Sequence, residues 1–357
     1  MLKKIITAIL KKILAVKAKD DFILQNPQKF LIIRQHNQFG DMLATIPILR
    51  AIKEKYPNAE INVIASKFND YALSKSKYVN KILTLENVKL INRKYRKEVK
   101  NILKQNYDVA IVPSTVSISF TSNFLARLSD AELRVGPASL NGKTNPTEFF
   151  FNKKIDLDWR KDPDAHVSDF GQNIIRPLGI STWNVSSEIN FDEEDTKVAE
   201  TFIAGMGKSE EELLIGLHVG AGKPRNRWPL EKYIETIKTL DRKYNTKFVL
   251  TGSNADKNEI DYVVNNLNVP ISQFINYSIP ELAALISNCD LFITNDTGVM
   301  HVAGATKTKQ ISIFGPTNPF NWAPVGEGKY FLRKSDIIDD VKVSDVVDLA
   351  ILLLGKN

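Results

Sequence analysis

Two rhythms alternate along the chain. Short apolar runs rich in β-branched residues, FLIIR (30–34), EINVIA (60–65), KILTL (81–85) and DVAIVP (108–113), are separated by longer stretches whose apolar residues recur every three to four positions. The runs predict buried strands and the longer stretches amphipathic helices. One helix is expected over 41–55, ended by Pro57, and another over LINRKYRKEVKNILKQ (90–105). Strands that alternate with helices imply a parallel sheet covered on both faces.

Between about 140 and 159 the rhythm is lost, and NGKTNPTEFFFNKK (141–154) reads as loop and irregular strand. After a helix near 166–178, the pattern restarts with LLIGLHV (213–219). A helix over 230–244, KFVLTG (247–252), a helix near 256–267, LAALISNC (282–289), DLFITN (290–295), KQISIFG (309–315) and VSDVVDLAILLLG (343–355) complete it. The fold class is therefore α/β, with two Rossmann-like domains whose parallel sheets face a central cleft. We place an N-terminal segment at 1–28, the first domain at 29–180, a linker at 181–192 and the second domain at 193–357. The last helix is free to pack back on the first domain. Ligands of such sheets bind outside the carboxyl ends of the strands, which directs attention to the loops after 34, 113, 219, 252 and 295.

The first residues follow a different pattern. Leu2, Ile5, Ile6, Ile9, Leu10, Ile13, Leu14 and Val16 recur at helical spacing, with Lys4, Lys11, Lys12 and Lys19 on the other side. Lysines interrupt the run where a signal peptide would need a continuous apolar core. Residues 2–19 read as a basic amphipathic helix for an anionic leaflet, or as a helix that packs its stripe on its own domain.

Composition narrows the class. The 357 residues include 43% hydrophobic and 25% charged side chains, which suits a soluble two-domain protein. Cys289 is the single cysteine, so no disulfide framework or cysteine-rich zinc site is possible, in keeping with a reducing cytoplasm. The four histidines show no metal-ligand spacing, and neither a metal nor another cofactor is expected. A formal net charge of +7 and a pI near 9.1 favour an anionic partner. Nucleic acid is not expected, since basic and aromatic residues do not interleave.

The candidate chemistry sits in the strand-end loops. In RQHNQFGDMLATIPILRAIKEKYP (34–57), Gly40 turns the chain tightly and Asp41 stands at a helix start, as a cap or as a proton acceptor. Ala44 leaves no reciprocal capping box. In GLHVGAGKPRNRWPLEKY (216–233), Gly220 and Gly222 let the backbone approach a ligand, while Lys223, Arg225 and Arg227 bring positive charge to the same mouth. That arrangement suits a diphosphate. It is not a P-loop, because Leu217 and Pro224 stand where Gly and Ser or Thr would be needed, and neither domain begins with GxGxxG. In LFITNDTGVMHVAGA (291–305), Asp296, Thr297 and Gly298 lead into a helix carrying His301. Thr297 and Gly298 sit where free amides would meet a phosphate and Asp296 where it would meet sugar hydroxyls, unless Asp296 or Thr297 merely caps the helix and His301 is a satisfied, partly buried residue. Asp256, on the loop after 252, can hold ribose hydroxyls or cap the next helix. On the first half, the Ser/Thr-rich loop with Ser114 and Thr115 and the basic helix with Arg93, Lys94, Arg96 and Lys97 are candidates for an anionic acceptor.

These blocks, in this order and spacing, resemble glycosyltransferase family 9, the heptosyltransferases of lipopolysaccharide core assembly. The resemblance runs from about residue 30 to 350 and includes a weaker block, SNFLARLSDAELRVG (122–136). It implies a GT-B fold, with acceptor in the first domain and nucleotide-sugar in the second. It also implies inverting, metal-independent transfer, typically of heptose from ADP-heptose to an anionic glycolipid. With the basic segment 2–19, a cytoplasmic protein peripheral on the cytoplasmic face of the inner membrane is expected. Asp41 then corresponds to the family's general base, Arg227 to the basic residue that meets donor phosphate, Asp256 to the ribose-holding acid, and Asp296, Thr297, Gly298 and His301 to the family's Asp-Thr-Gly-x-x-His motif. Two features depart from the pattern: Arg227 stands where the best-known members carry lysine, and the segment before Phe30 is an extension many members lack. The alternatives are a glycosyltransferase of the same family that uses another nucleotide-sugar or acceptor, a nucleotide-sugar epimerase of the same fold, and a non-catalytic nucleotide-sugar-binding relative.

Overall fold

The structure, a computed structural model, describes residues 2–19, 22–35, 39–86, 89 and 91–355, with the side chains of 2–6 outside that description. The N-terminal stripe's Leu2, Lys4, Ile5 and Ile6 side chains and part of the loop after 34 therefore lie outside the described residues. The chain divides into two units, Met1–Val185 and Ser186–Asn357.

The first unit comprises α1 (Leu2–Leu14), β1 (Lys29–Arg34), α2 (Phe39–Leu43), α3 (Ile46–Lys55), β2 (Glu60–Ser66), β3 (Lys81–Leu85), α4 (Arg93–Leu103), β4 (Val109–Ile111), α5 (Phe120–Leu128), β5 (Leu133–Leu140), β6 (Lys143–Thr144), β7 (Lys153–Leu157) and α6 (Val167–Gln172). Its sheet runs β3-β2-β1-β4-β5 in parallel, with β6 antiparallel and β7 parallel to β5. Every residue of β1 after Lys29 is buried, as its unbroken apolar run requires.

Three expectations change here. The helix expected over 41–55 is two helices, because Pro47 lacks an amide hydrogen and its ring would strike the carbonyl four residues back, at Leu43, where α2 ends. The helix expected near 166–178 is only α6 followed by a 3₁₀ turn at Arg176–Leu178. The region expected to be irregular holds the end of β5, a tight β5–β6 hairpin and β7. These strands carry lysines and an aspartate on their open side, which hid their alternation.

The second unit comprises α7 (Glu193–Gly205), β8 (Leu213–His218), α8 (Leu230–Lys243), β9 (Thr246–Gly252), α9 (Lys257–Asn265), β10 (Ile271–Ile275), α10 (Ile279–Ser287), β11 (Leu291–Asn295), α11 (Gly298–Gly304), β12 (Lys309–Ile313), α12 (Pro319–Trp322), β13 (Lys329–Leu332) and α13 (Val343–Leu354). All six strands are parallel, in the order β10-β9-β8-β11-β12-β13. Helix starts follow from local chemistry: Ser278 and Glu281 form a reciprocal capping box at α10, and Asp192 and Asp195 do so at α7. The last helix, α13, lies on its own unit, where Val346, Ala350, Leu353 and Leu354 join a core with Trp228, Tyr233, Ile237 and Leu240. In each unit the chain order reverses between two central strands, β1 and β4 or β8 and β11. The carboxyl ends of those strands are where an open parallel sheet offers a crevice.

Candidate functional site

In the first unit, β1 delivers a charged residue to its carboxyl end. Arg34 is buried, its Nη1 donates to the Pro113 carbonyl at 2.8 Å, and its Nη2 donates to Thr115 Oγ1 at 2.8 Å. Asp41, in the first turn of α2, brings its Oδ1 to 3.3 Å from Arg34 Nη2, with neither side chain exposed. Thr115 Oγ1 stands 3.5 Å from the same Oδ1, and the Asp41 carbonyl accepts from Thr45 Oγ1 at 2.9 Å. Burial pulls the Arg34 guanidinium below its ordinary range, and the charge of Asp41 opposes this. Asp41 Oδ2, Arg34 Nε and Ser114 Oγ are buried with no hydrogen-bond partner among the described residues. Such atoms are costly unless something completes them.

The surroundings fix this group from behind. Trp159 Nε1 donates to the Thr115 carbonyl at 2.7 Å, and its ring stacks on Phe170 with centroids 3.9 Å apart. Asn69 Nδ2 donates to the Arg34 carbonyl at 3.3 Å. Gly40, expected to turn the chain tightly, lies instead in the helical backbone of α2. Thus Asp41, Ser114 and Thr115 come from the loops after β1 and β4, whereas Arg93 begins α4 beyond edge strand β3, exposed and not among the partners of Asp41.

In the second unit, one side chain organises the crevice. Asn295, the last residue of β11, is fully buried. Its Oδ1 accepts from Trp228 N at 3.0 Å and from Tyr233 Oη at 3.0 Å, while its Nδ2 donates to the Val219 and Gly220 carbonyls at 3.0 and 3.1 Å. Both ends of the loop after β8 are therefore tied to the end of β11. Asn226 Nδ2 adds a bond of 2.8 Å to Asp296 Oδ2. Burial raises the Asp296 carboxyl above its usual range, opposed by a Thr317 hydrogen bond and by Lys223. Neither Asp296 nor Thr297 caps α11 with its side chain: Thr297 is the N-cap residue but makes no such bond, and the Asp296 carboxylate turns to Asn226. Gly298 is exposed at the start of α11, and the His301 ring stands edge-on to Trp322 with centroids 6.5 Å apart.

Arg227 is half-buried, donates to the Ala221 carbonyl at 3.2 Å, and pairs with Glu259 on α9. Gly222 and Arg225 are exposed on the same loop. Asp256 caps locally: its Oδ2 accepts from Ser253 N and Oγ, both at 2.9 Å. Its Oδ1 faces Gly220, where a Cβ would fall 2.1 Å from that oxygen, so only glycine fits there. Beneath them His218 is buried, its Nδ1 2.9 Å from the Thr251 carbonyl. Burial lowers the imidazole, with Asp256 and that carbonyl opposing. The structure thus brings Gly220, Arg227, Asp256, Asp296 and Thr297 to neighbouring strand ends.

Four residues with evident roles escaped the sequence reading: Arg34, Asn226, Glu259 and, as the organiser, Asn295. Arg34 and Asn295 did leave a signal, since each is a polar residue closing an otherwise apolar strand run. Asn226 and Glu259 left none, because their partners are 70 and 32 positions away.

A family model described as glycosyltransferase family 9 (heptosyltransferase) matches residues 95–342, which includes every second-unit loop described above but not Asp41. The chain is 23% identical over 299 residues to lipopolysaccharide heptosyltransferase 3 of Escherichia coli (strain K12), covering 80% of this chain and 82% of that protein. In three dimensions it is similar to a glycosyltransferase family 9 protein from Veillonella parvula, with a TM-score of 0.81 at 20% identity, covering 94% of this chain and 100% of that one. It is also similar to the E. coli ADP-heptose lipopolysaccharide heptosyltransferase II, with a TM-score of 0.74 at 21% identity, covering 92% and 99%. The fold is GT-B, built from two Rossmann-like units.

Proposed function

The chain belongs to glycosyltransferase family 9, the heptosyltransferase family, and from that premise we propose that it moves heptose from ADP-heptose onto an anionic lipopolysaccharide-core acceptor, with inversion and without a metal ion. The donor assignment is supported by the name of a structural relative, an ADP-heptose heptosyltransferase. The acceptor class is supported by a sequence relative, a lipopolysaccharide heptosyltransferase.

The observation that carries the mechanism is the Asp41 carboxylate, one oxygen held against Arg34 and Thr115 and the other without a partner among the described residues. An acceptor hydroxyl completes Oδ2 and gives it its proton as the hydroxyl oxygen attacks the anomeric carbon. The bond from that carbon to the diphosphate breaks on the opposite side, and ADP leaves. A positioned base is worth roughly 10²–10⁴-fold in such a step. Because solvent does not reach this carboxylate here, the reading includes a local opening when acceptor binds.

The leaving diphosphate needs positive charge already in place, and preorganised donors of this kind contribute about 3 kcal/mol each. Arg227, Arg225 and the amides of 220–222 supply it, with Thr297 and Gly298 at the start of α11. Asp296 and His301 meet sugar hydroxyls. Asp256 keeps Gly220 in place, and its Oδ1 meets ribose. Ser114, Thr115 and Arg93 receive the acceptor's polar and anionic groups.

Thermal-shift binding against ADP, ADP-heptose and GDP-, UDP- and CMP-sugars tests the donor. A ligand at a hundredfold its Kd stabilises by about 2.7 kcal/mol, so ADP and ADP-heptose should raise the melting temperature while the others leave it unchanged. Stabilisation by a UDP-sugar alone would overturn the assignment.

A further inference from the structure

Helix α1 is docked at its C-terminal end and open at Ala8, Ile9 and residues 11–13. Val16 N donates to the Phe149 carbonyl at 3.0 Å, Lys19 N to the Asn152 carbonyl at 2.9 Å, and Arg127 Nε to the Leu14 carbonyl at 2.5 Å. Leu10 and Leu14 are half-buried, yet Ile9 and Ile13, one turn apart on a neighbouring face, are 53% and 68% exposed. The apolar stripe is therefore wider than the protein surface it covers. What sets these two apart from singly exposed isoleucines is that they stand side by side on one helix, and contiguous exposed apolar surface is what marks an interaction site.

The surface beneath α1 continues the apolar character. Helix α1 rests on the 3₁₀ turn Glu148–Phe150. The Phe150 ring lies 6.4 Å from Phe120 and 6.0 Å from Phe124, and Phe120 is 53% exposed. The segment itself is basic: Lys3, Lys4, Lys11, Lys12, Lys17 and Lys19 occur between residues 2 and 19 with no acidic residue among them, and the acids beside it, Glu132 and Glu148, are paired with Lys19 and Lys154. Lys11, Lys12 and Lys17 are exposed.

We propose that α1 and the adjoining phenylalanines of α5 form a docking surface for an anionic lipid bilayer. Apolar side chains enter the interface while lysines meet headgroup charge, each lysine contributing roughly fivefold in affinity. A second copy of the chain fits worse, since pairing two such faces would bring their lysines together. A bilayer surface rather than a span suits α1, since its 13 described residues fall short of the ~20 that a hydrocarbon core requires and no described helix is long and apolar enough to cross. The proposal does not depend on which sugar is transferred.

Co-sedimentation of the full chain with phosphatidylglycerol–phosphatidylcholine vesicles, against phosphatidylcholine alone, tests it without donor or acceptor. The chain should bind the anionic vesicles at least about tenfold more tightly and lose that binding in high salt. Ile9→Ser with Ile13→Ser should weaken binding by about tenfold or more. Phe120→Ser, outside α1, should weaken it too, which separates lost contact from an unfolded helix. Equal binding to both vesicle types, or variants that bind like the parent, would overturn the proposal. So would a chain that dimerises without lipid and becomes monomeric in the isoleucine variant.

Discussion

Arg34 Nη2 stands 3.3 Å from Asp41 Oδ1 inside the first unit, and neither side chain reaches water. The same guanidinium donates to the Pro113 carbonyl and to Thr115 Oγ1. One buried cation therefore ties together the end of β1, the loop after β4 and the first turn of α2. It also turns one carboxylate oxygen inward and leaves the other to be completed.

Removing that cation leaves a buried carboxylate with no counter-charge. Arg34→Met should cost about 3–5 kcal/mol of stability, seen as a lower melting temperature, and should reduce transfer further than the lost stability explains. Arg34→Lys restores a charge but not the fork that reaches three acceptors, so it should recover only part of the turnover. A methionine variant with parental melting and turnover would show that the pair has no organising role.

Asn295 makes four hydrogen bonds, three to the loop after β8 and one to Tyr233 on α8. Asn295→Leu should destabilise by roughly 3 kcal/mol or more, because several buried groups lose their partner at once. ADP affinity should fall with it. Tyr233→Phe deletes a single hydroxyl and should cost only about 1 kcal/mol. Calorimetry and ADP titration distinguish the two, and equal effects would contradict the hub.

His218 sets a pH dependence. Burial holds its folded pKa below the unfolded value of about 6.5. Below that pH the unfolded chain takes up a proton that the native state refuses, so stability is lost as pH falls, by at most ~1.4 kcal/mol per unit. His218→Asn keeps a donor near the Thr251 carbonyl and cannot titrate. Its melting temperature should fall less between pH 6.5 and 5 than the parent's; parallel curves would contradict the assignment.

What was legible in the sequence, and what was not, follows from the range of the interactions. Buried parallel strands such as β1 and β11 announce themselves, because both faces demand apolar residues. The strand-end loops with Asp41, Gly220 and Asp296 were legible because a parallel sheet places its ligands there. The break at Ala44–Thr45 was readable from Pro47, whose clash with Leu43 is local, but the apolar period running through it masked the stop. Strands β6 and β7 were lost among lysines on their open side. The pairings of Arg34 with Asp41, Asn226 with Asp296 and Arg227 with Glu259 join distant segments, and no local pattern encodes them. The capping alternatives for Asp296 and Thr297 were decided only by where the side chains point.

In the proposed mechanism Asp41 takes the acceptor's proton. Asp41→Asn keeps the shape and an oxygen that accepts from Arg34 and Thr115, while removing the base. Transfer from ADP-heptose to a core acceptor, measured alongside ADP-heptose binding, should drop by roughly 10²–10⁴-fold with donor affinity retained. Near-parental turnover in that variant would contradict the account.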